Sequence, residues 1–209
     1  MSFKSKSQPA AIHINGLSYS YSKTAPPWIL QEIGLQLNPG DYTLLCGSSG
    51  SGKSTLCRTL NGLIPHFHGG TFKGTVHLGP LSTLDRSVGD LLDDVGLVFQ
   101  NPEAQLFNRT VALELAYGME SLGLAPPVIR SRIREIGEWL EIEALLERNP
   151  HHLSGGEQHL VAIGVLAALQ PGWFILDEPY ANLDSVNVGR IQTALRSAHD
   201  MGFGAVSYT

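Results

Sequence analysis

Apolar and polar positions alternate along the first fifth of the chain and then change period. Ile12 and Ile14, and later Tyr19 and Tyr21, alternate with polar neighbours, which predicts strands with one buried face. Residues 22–27 read as a turn. Ile33, Leu35 and Leu37 alternate again, and Asn38-Pro39-Gly40-Asp41 is a strong turn signal. Tyr42-Thr43-Leu44-Leu45-Cys46 is aromatic, β-branched and apolar, which predicts a buried strand. From residue 55 to 63 the period becomes helical, with Leu56, Leu60 and Leu63 on one side. Residues 65–70 break the pattern, and short strands are expected at 74–78 and 95–99. Between 101 and 152 the texture is helical, with Val111, Leu115, Met119 and Leu122 on one helix. Ile129, Ile133, Ile136 and Leu140 mark a second helix, and residues 123–127 separate the two. A helix at about 154–169, a strand at 173–176, a helix at 186–199 and a strand at 203–208 follow. The sum is an α/β core with a helical insertion and no internal repeat.

Composition narrows this little. At 209 residues the chain is long enough for one domain with an inserted subdomain. Its 43% hydrophobic and 16% charged residues are ordinary for a globular protein. A net charge of −5 gives no electrostatic case for nucleic acid. Cys46 and Cys57 read as small buried hydrophobes in a reducing compartment rather than as a disulfide. Residues 1–10 are polar, so they are expected to be a disordered leader and not a signal peptide. The longest apolar run, residues 160–169, is half what a membrane span needs. The chain is therefore expected to be soluble, and able to dock on a membrane protein.

The chemistry centres on Gly47-Ser48-Ser49-Gly50-Ser51-Gly52-Lys53-Ser54-Thr55, which fits G-x-x-x-x-G-K-[ST] between a predicted strand and a predicted helix. Glycines let backbone wrap phosphate without a Cβ in the way, and free N–H groups at a helix N-terminus attract anions. Lys53 is expected to reach the β- and γ-phosphates of a nucleoside triphosphate, and the Ser54 hydroxyl to ligate Mg²⁺. The alternative, a Gly/Ser linker, does not explain the flanking strand and helix.

Further motifs stand at telling positions. Trp173-Phe174-Ile175-Leu176-Asp177-Glu178 is an apolar strand that ends in two carboxylates. Asp177 at the strand tip suits Mg²⁺ held through water opposite Ser54, and Glu178 suits a general base for an attacking water. Leu153-Ser154-Gly155-Gly156-Glu157 opens the long apolar helix, Gln100 ends a strand, and Ala181-Asn182-Leu183-Asp184 follows the carboxylates. Together these resemble the nucleotide-binding subunits of ABC transporters from Ile12 onward. The Phe99-Gln100-Asn101-Pro102-Glu103-Ala104-Gln105-Leu106-Phe107 stretch, the 111–118 segment and Asn61-Gly62-Leu63-Ile64-Pro65 resemble one subgroup. That subgroup is the energy-coupling factor ATPases, which power uptake of vitamins, cobalt or nickel.

The resemblance implies a P-loop NTPase fold: a RecA-like core, an N-terminal antiparallel β subdomain, and a helical subdomain at about 101–155, all within an ATP-binding domain spanning 11–209. It implies ATP and Mg²⁺ as cofactors. Tyr21, or else Tyr19, would stack on adenine. Ser154, Gly155 and Gly156 would close on the γ-phosphate of ATP held by a second subunit, so each site needs two chains. Gln100 would sense the γ-phosphate or Mg²⁺ and report to the helical insertion, which grips a polytopic membrane subunit. Asp184 would act across the dimer interface. The place implied is the cytoplasmic face of the membrane, as a peripheral subunit.

Each feature also has a plainer reading. Ser154 with Glu157 is a capping box that could simply start a helix. Asp177-Glu178-Pro179 could be a helix entry. Tyr21 could be a half-buried strand aromatic. His66, His68, His151 and His152 invite a metal site, but nothing fixes four ligands. Arg130, Arg132 and Arg134 read as a solvated face. The sequence also departs from the family. Glu157 stands where relatives carry Gln, adding negative charge near a phosphate contact unless its side chain turns to the helix cap. His159 and Leu160 replace basic residues. The chain ends at Val206-Ser207-Tyr208-Thr209, one residue before the expected switch histidine. The 209 residues are therefore expected to be a truncated form that binds ATP and hydrolyses it weakly. An ATPase of another ABC importer, a soluble ABC protein, and a non-hydrolysing regulatory subunit stand as the alternatives.

Overall fold

Residues 9–24 and 27–208 are described by a computed structural model; the expected leader falls almost wholly outside them. In chain order the elements are β1 (Ile12–Ser20), β2 (Leu30–Leu37), β3 (Tyr42–Leu45), α1 (Lys53–Leu60), α2 (Leu63–His66), β4 (Thr71–Leu78) and β5 (Leu81–Ser82). Next come α3 (Val88–Leu91), β6 (Val95–Val98), α4 (Val111–Ser121), α5 (Pro126–Leu140), α6 (Gly155–Leu169), β7 (Trp173–Asp177), α7 (Ser185–Asp200) and β8 (Gly204–Tyr208). The antiparallel sheet has the order β2-β1-β4-β5 and the parallel sheet the order β3-β8-β7-β6. This is the expected layout: an antiparallel subdomain, a parallel core, and a helical region between β6 and β7.

β7 shows why the core holds. Its burial is complete, and the side-chain period of two divides it between two hydrophobic clusters. Trp173 and Ile175 join Ile12, Leu17, Tyr19, Cys57, Leu60 and Val76, where α1 lies between the two sheets. Phe174 and Leu176 join Leu115, Ile136, Leu160, Ile163 and Leu195 on the helical side. α6 runs through that second cluster buried nearly all round, which is why its sequence is apolar without a clear polar face.

The structure changes several expectations. The two strands expected around Ile12 and Tyr19 are one, β1, whose pairing with β4 slips between Asn15 and Ser18. A bulge there restores the buried face for Tyr19, and Tyr21 lies beyond the strand end. The strand expected to be buried at 42–46 is β3, the outer strand of the parallel sheet, and Tyr42 is 42% and Leu44 53% exposed. An apolar run cannot distinguish a central strand from an edge strand. Cys46 is likewise exposed, whereas Cys57 is buried, and burial followed by the charge of Asp177 pushes the Cys57 thiol pKa up. Of the three arginines expected in solvent, Arg132 is half-buried, and its Nη1 donates to Ala168 O at 2.8 Å, capping the C-terminal end of α6. Among the described residues no helix is long and apolar enough to cross a membrane.

Candidate active site

The phosphate loop leaves β3 and enters α1 through glycines in the left-handed region, Gly50 at φ 79° and Gly52 at φ 93°. Gly52 is the N-cap and offers no side-chain cap, so the first N–H groups of α1 stay open to an incoming anion. A Cβ on Gly52 would stand 3.1 Å from Ile29 O and 3.0 Å from Leu30 Cδ2, so the loop is pressed against the start of β2. Ser51 N–H donates to Ser48 O at 3.1 Å. The Lys53 ammonium arches over the loop and donates to Gly47 O at 2.8 Å and Ser48 O at 3.2 Å. Ser48 and Ser49 are exposed, and Ser54 is half-buried in the first turn.

Burial separates the two tyrosines. Tyr19 is fully buried and its hydroxyl donates to Gly69 O at 3.0 Å, so it has no free ring face. Tyr21 is 43% exposed and packs edge-on against Tyr19, with centroids 5.0 Å apart. Its hydroxyl lies 3.3 Å from Thr55 Oγ1, and Arg58 Nη1 donates to it at 3.5 Å. The side chain of Thr55 is thus turned into the core toward Tyr21 rather than out to the loop. Tyr21 presents a ring beside the end of the phosphate loop, held there by Thr55, the last residue of the loop motif, and by Arg58, which the sequence reading missed.

β6 and β7 are parallel neighbours, so Gln100 and the Asp177–Glu178 pair emerge at the same end of the sheet. Asp177 is buried at 5% exposure. Glu178 takes φ 46°, a left-handed conformation rare for a residue with a Cβ, and this turns the chain sharply after β7. Its Oε2 accepts from Gln100 Nε2 at 2.7 Å. The expected sensor and the expected base are therefore in direct contact.

The third group opens α6. Ser154 is the N-cap, with its Oγ accepting from Glu157 N–H at 3.4 Å. Glu157 Oε2 accepts from Ser154 N–H at 2.8 Å and from Ser154 Oγ at 2.9 Å. The plainer capping-box reading is thus correct as structure, and it answers the concern about Glu157, whose carboxylate is turned back onto the cap. Those hydrogen bonds hold its pKa below the usual carboxylate value. Ser154 and Gly155 are exposed, but Gly156 is buried, and a Cβ there would overlap the amide of Asn187. The lack of a Cβ at Gly156 is therefore required by the packing of α6 against α7. Asp184 caps α7, its Oδ1 accepting from Asn187 N–H at 2.9 Å and its Oδ2 from Asn187 Nδ2 at 2.7 Å. Asn187, missed in the sequence, links Asp184 to the start of α6; its place three residues after a helix-capping acid is the one signal that could have found it.

The residues present fit Mg²⁺. Ser54 supplies a hydroxyl and Asp177 a buried carboxylate, hard oxygen donors of the kind the ion takes beside substrate phosphates. Among the described residues no group of three or more His, Cys, Asp or Glu could hold a metal. His66 Nε2 lies 2.8 Å from Thr83 O, and His151 Nδ1 is 3.6 Å from Glu103 Oε1.

Comparison with known proteins bears on the family and the fold. The ABC transporter family profile matches residues 30–181. An inferred ABC transporter ATP-binding protein of Pyrococcus abyssi is 38% identical over 185 residues, covering 88% of this chain and 66% of that protein. One of Treponema denticola is 38% identical, covering 88% of this chain and 38% of its own length. The chain thus spans between about a third and two-thirds of these two curated relatives. Among solved structures, cbiO1 of Clostridium perfringens, part of the ABC transporter complex cbiONQ, superposes with a TM-score of 0.83 at 28% identity, covering 96% of this chain and 78% of that one. The ATP-binding cassette MJ0796, a dimer in a post-hydrolysis state with ADP and Pi, gives 0.80 at 26% identity, covering 95% and 87%. With its open phosphate loop, its carboxylates at the end of β7 and its serine-capped α6, the chain belongs to the ABC transporter family as an ATP-binding domain that takes ATP with Mg²⁺.

Proposed function

We propose that this domain hydrolyses ATP as one of a pair of subunits, and that the pair drives an importer of the energy-coupling factor type from the cytoplasmic face of a membrane. One observation carries the hydrolytic reading: the left-handed turn at Glu178 directs its carboxylate to Gln100 at the tip of β6, where β7 also delivers buried Asp177. The phosphate loop binds the β- and γ-phosphates through its N–H groups and Lys53, and Tyr21 covers the base. Gln100 and Glu178 hold water in line, Glu178 accepts its proton, and the oxygen bonds to γ-phosphorus as the bond to the β-phosphate oxygen breaks, giving ADP and phosphate. Ser54 and Asp177 would hold Mg²⁺, which when bound would supply positive charge to the phosphate oxygens. In one chain Ser154 and Gly155 stay exposed, which fits closure onto the nucleotide of a second subunit, with Asp184 near that face.

Two observations support the importer reading. The similar cbiO1 is described as part of a transporter complex. The helical region also presents an apolar groove of about 340 Å³ lined by Leu113, Ala116, Leu124, Ile129 and Ile133. Exposed Phe107 and Tyr117 pack edge-to-face at 4.9 Å beside Leu113, a surface suited to a membrane subunit. The test is turnover of the full-length protein in its assembled complex. Glu178→Gln is expected to lower kcat by at least about 100-fold while MgATP still binds. Unchanged turnover removes Glu178 as the base, and co-purification without any polytopic membrane protein removes the importer reading.

A further inference from the structure

We infer that Gln105 is a positioning residue for hydrolysis, which sets where Gln100 leaves the sheet and so holds it against Glu178. The inference rests on the reading of Gln100 and Glu178 given above. β6 pairs with β7 on one side and is the last strand of its sheet on the other. That outer edge carries peptide groups with no strand to meet them. Gln105 meets two of them: its Oε1 accepts from Phe99 N–H at 2.8 Å and its Nε2 donates to Leu97 O at 3.0 Å. One primary amide thus takes the place of a missing strand across two residues. Its orientation is self-determined, because a flipped amide would set donor against donor and acceptor against acceptor.

The loop closed by this clamp is short and otherwise stiff. Gln100 is the residue immediately after Phe99. Asn101 Oδ1 accepts from Glu103 N–H at 3.2 Å, and a single 3-10 turn, Pro102–Gln105, returns the chain to the strand edge. Pro102 and Leu106 are buried on either side. Beyond Gln105 the chain is pinned a second time. Glu114, 2% exposed on α4, accepts from the N–H groups of Phe107 at 3.0 Å and Asn108 at 2.6 Å. The segment from β6 to α4 is therefore anchored once to the sheet, by Gln105, and once to the helical region, by Glu114. Gln100 sits on the sheet side of both anchors. Releasing the Gln105 clamp frees the Phe99 peptide, and with it the 2.7 Å contact between Gln100 Nε2 and Glu178 Oε2. Neither atom of Gln105 reaches toward the phosphate loop; its effect passes through Gln100.

The test is steady-state ATP hydrolysis by the full-length protein in its assembled complex, for Gln105→Met, Gln100→Ala and the double variant. Met keeps the length of the side chain and removes both hydrogen bonds. Gln105→Met is expected to lower kcat roughly 10- to 100-fold, the cost of small misplacement of a reacting group, with KM for ATP changed less than about threefold. In the Gln100→Ala background the same change is expected to cost nothing further, because the residue acts through Gln100. If Gln100→Ala lowers kcat and Gln105→Met does not, the inference is wrong and the reading of Gln100 stands. Losses that multiply in the double variant also overturn it, since they show an independent, merely structural role. If Gln100→Ala leaves turnover intact, the reading of Gln100 itself fails and the inference falls with it. Should Met prevent folding, Gln105→Glu keeps the acceptor for Phe99 N–H and loses the donor to Leu97 O. Its second carboxylate oxygen faces Leu97 O, acceptor against acceptor, so it carries the same expectations with a loss at least as large.

Discussion

Single residues carry the tension in this site. Glu178 is held at φ 46°, at a cost on the order of 1 kcal/mol for a residue with a Cβ, and that cost buys the direction of its carboxylate. His159, 3% exposed on α6, shows the same pressure in its ionisation. Its Nδ1 lies 3.0 Å from Gly155 O, and burial holds its pKa below 6.5, partly offset by that bond. The neutral ring is thus the form the fold prefers, whereas the unfolded chain takes the proton near 6.5. Stability from this group is in place above that value and is lost as the pH falls below it toward the folded pKa. Urea unfolding between pH 8 and 5.5 is expected to show stability falling by up to about 1.4 kcal/mol per pH unit from this one proton, and His159→Leu to flatten that slope. An unchanged slope in the variant would show that the buried ring does not titrate on unfolding. The sequence marked His159 as a replaced basic residue; only its burial explains why a neutral ring is tolerated there.

Among the elements, α6 is the one whose start has two duties. The capping box is local chemistry, visible in the sequence because Ser154 and Glu157 are three residues apart. The role of Gly156 was not visible. It faces Asn187 at the start of α7, so the second glycine of the motif is a packing requirement between two helices. Gly156→Ala is expected to destabilise the fold by about 1–3 kcal/mol, as overpacking does. Denaturant titration measures this without nucleotide, and Asn187→Ala is expected to recover part of the loss in the double variant. A neutral Gly156→Ala would show that α7 yields readily there. Strand β3 teaches the converse. Its apolar composition was legible, but its place at the sheet edge was not, because composition records affinity for a core and not the position of a neighbour.

For the whole molecule, the phosphate loop is the point at which ligand binding and folding couple. A ligand that binds only the folded form stabilises it by about 2.7 kcal/mol at one hundred times its Kd. For a domain of this size that is a rise in Tm of roughly 5–10 °C with MgATP. Lys53→Ala is expected to abolish the rise at the same nucleotide concentration while leaving the Tm of the free protein nearly unchanged, since the Lys53 ammonium bonds to exposed loop carbonyls. Scanning calorimetry with and without MgATP checks both. A rise that survived Lys53→Ala would place the nucleotide elsewhere. The fold class was expected from sequence, and the family match agrees.

What the sequence determined alone is whatever depends on neighbours within one turn: the glycines that shape the loop before α1, the serine cap of α6, the acidic tip of β7. Such features are fixed by backbone conformation and hydrogen bonds a few residues long. The tertiary structure decided what needs distant segments to meet. It buried Tyr19 and left Tyr21 half-exposed, set Asn187 under Gly156, and brought Gln100 to Glu178 from 78 residues away. Those pairings follow from strand order and helix packing, and no local pattern specifies a sheet's order.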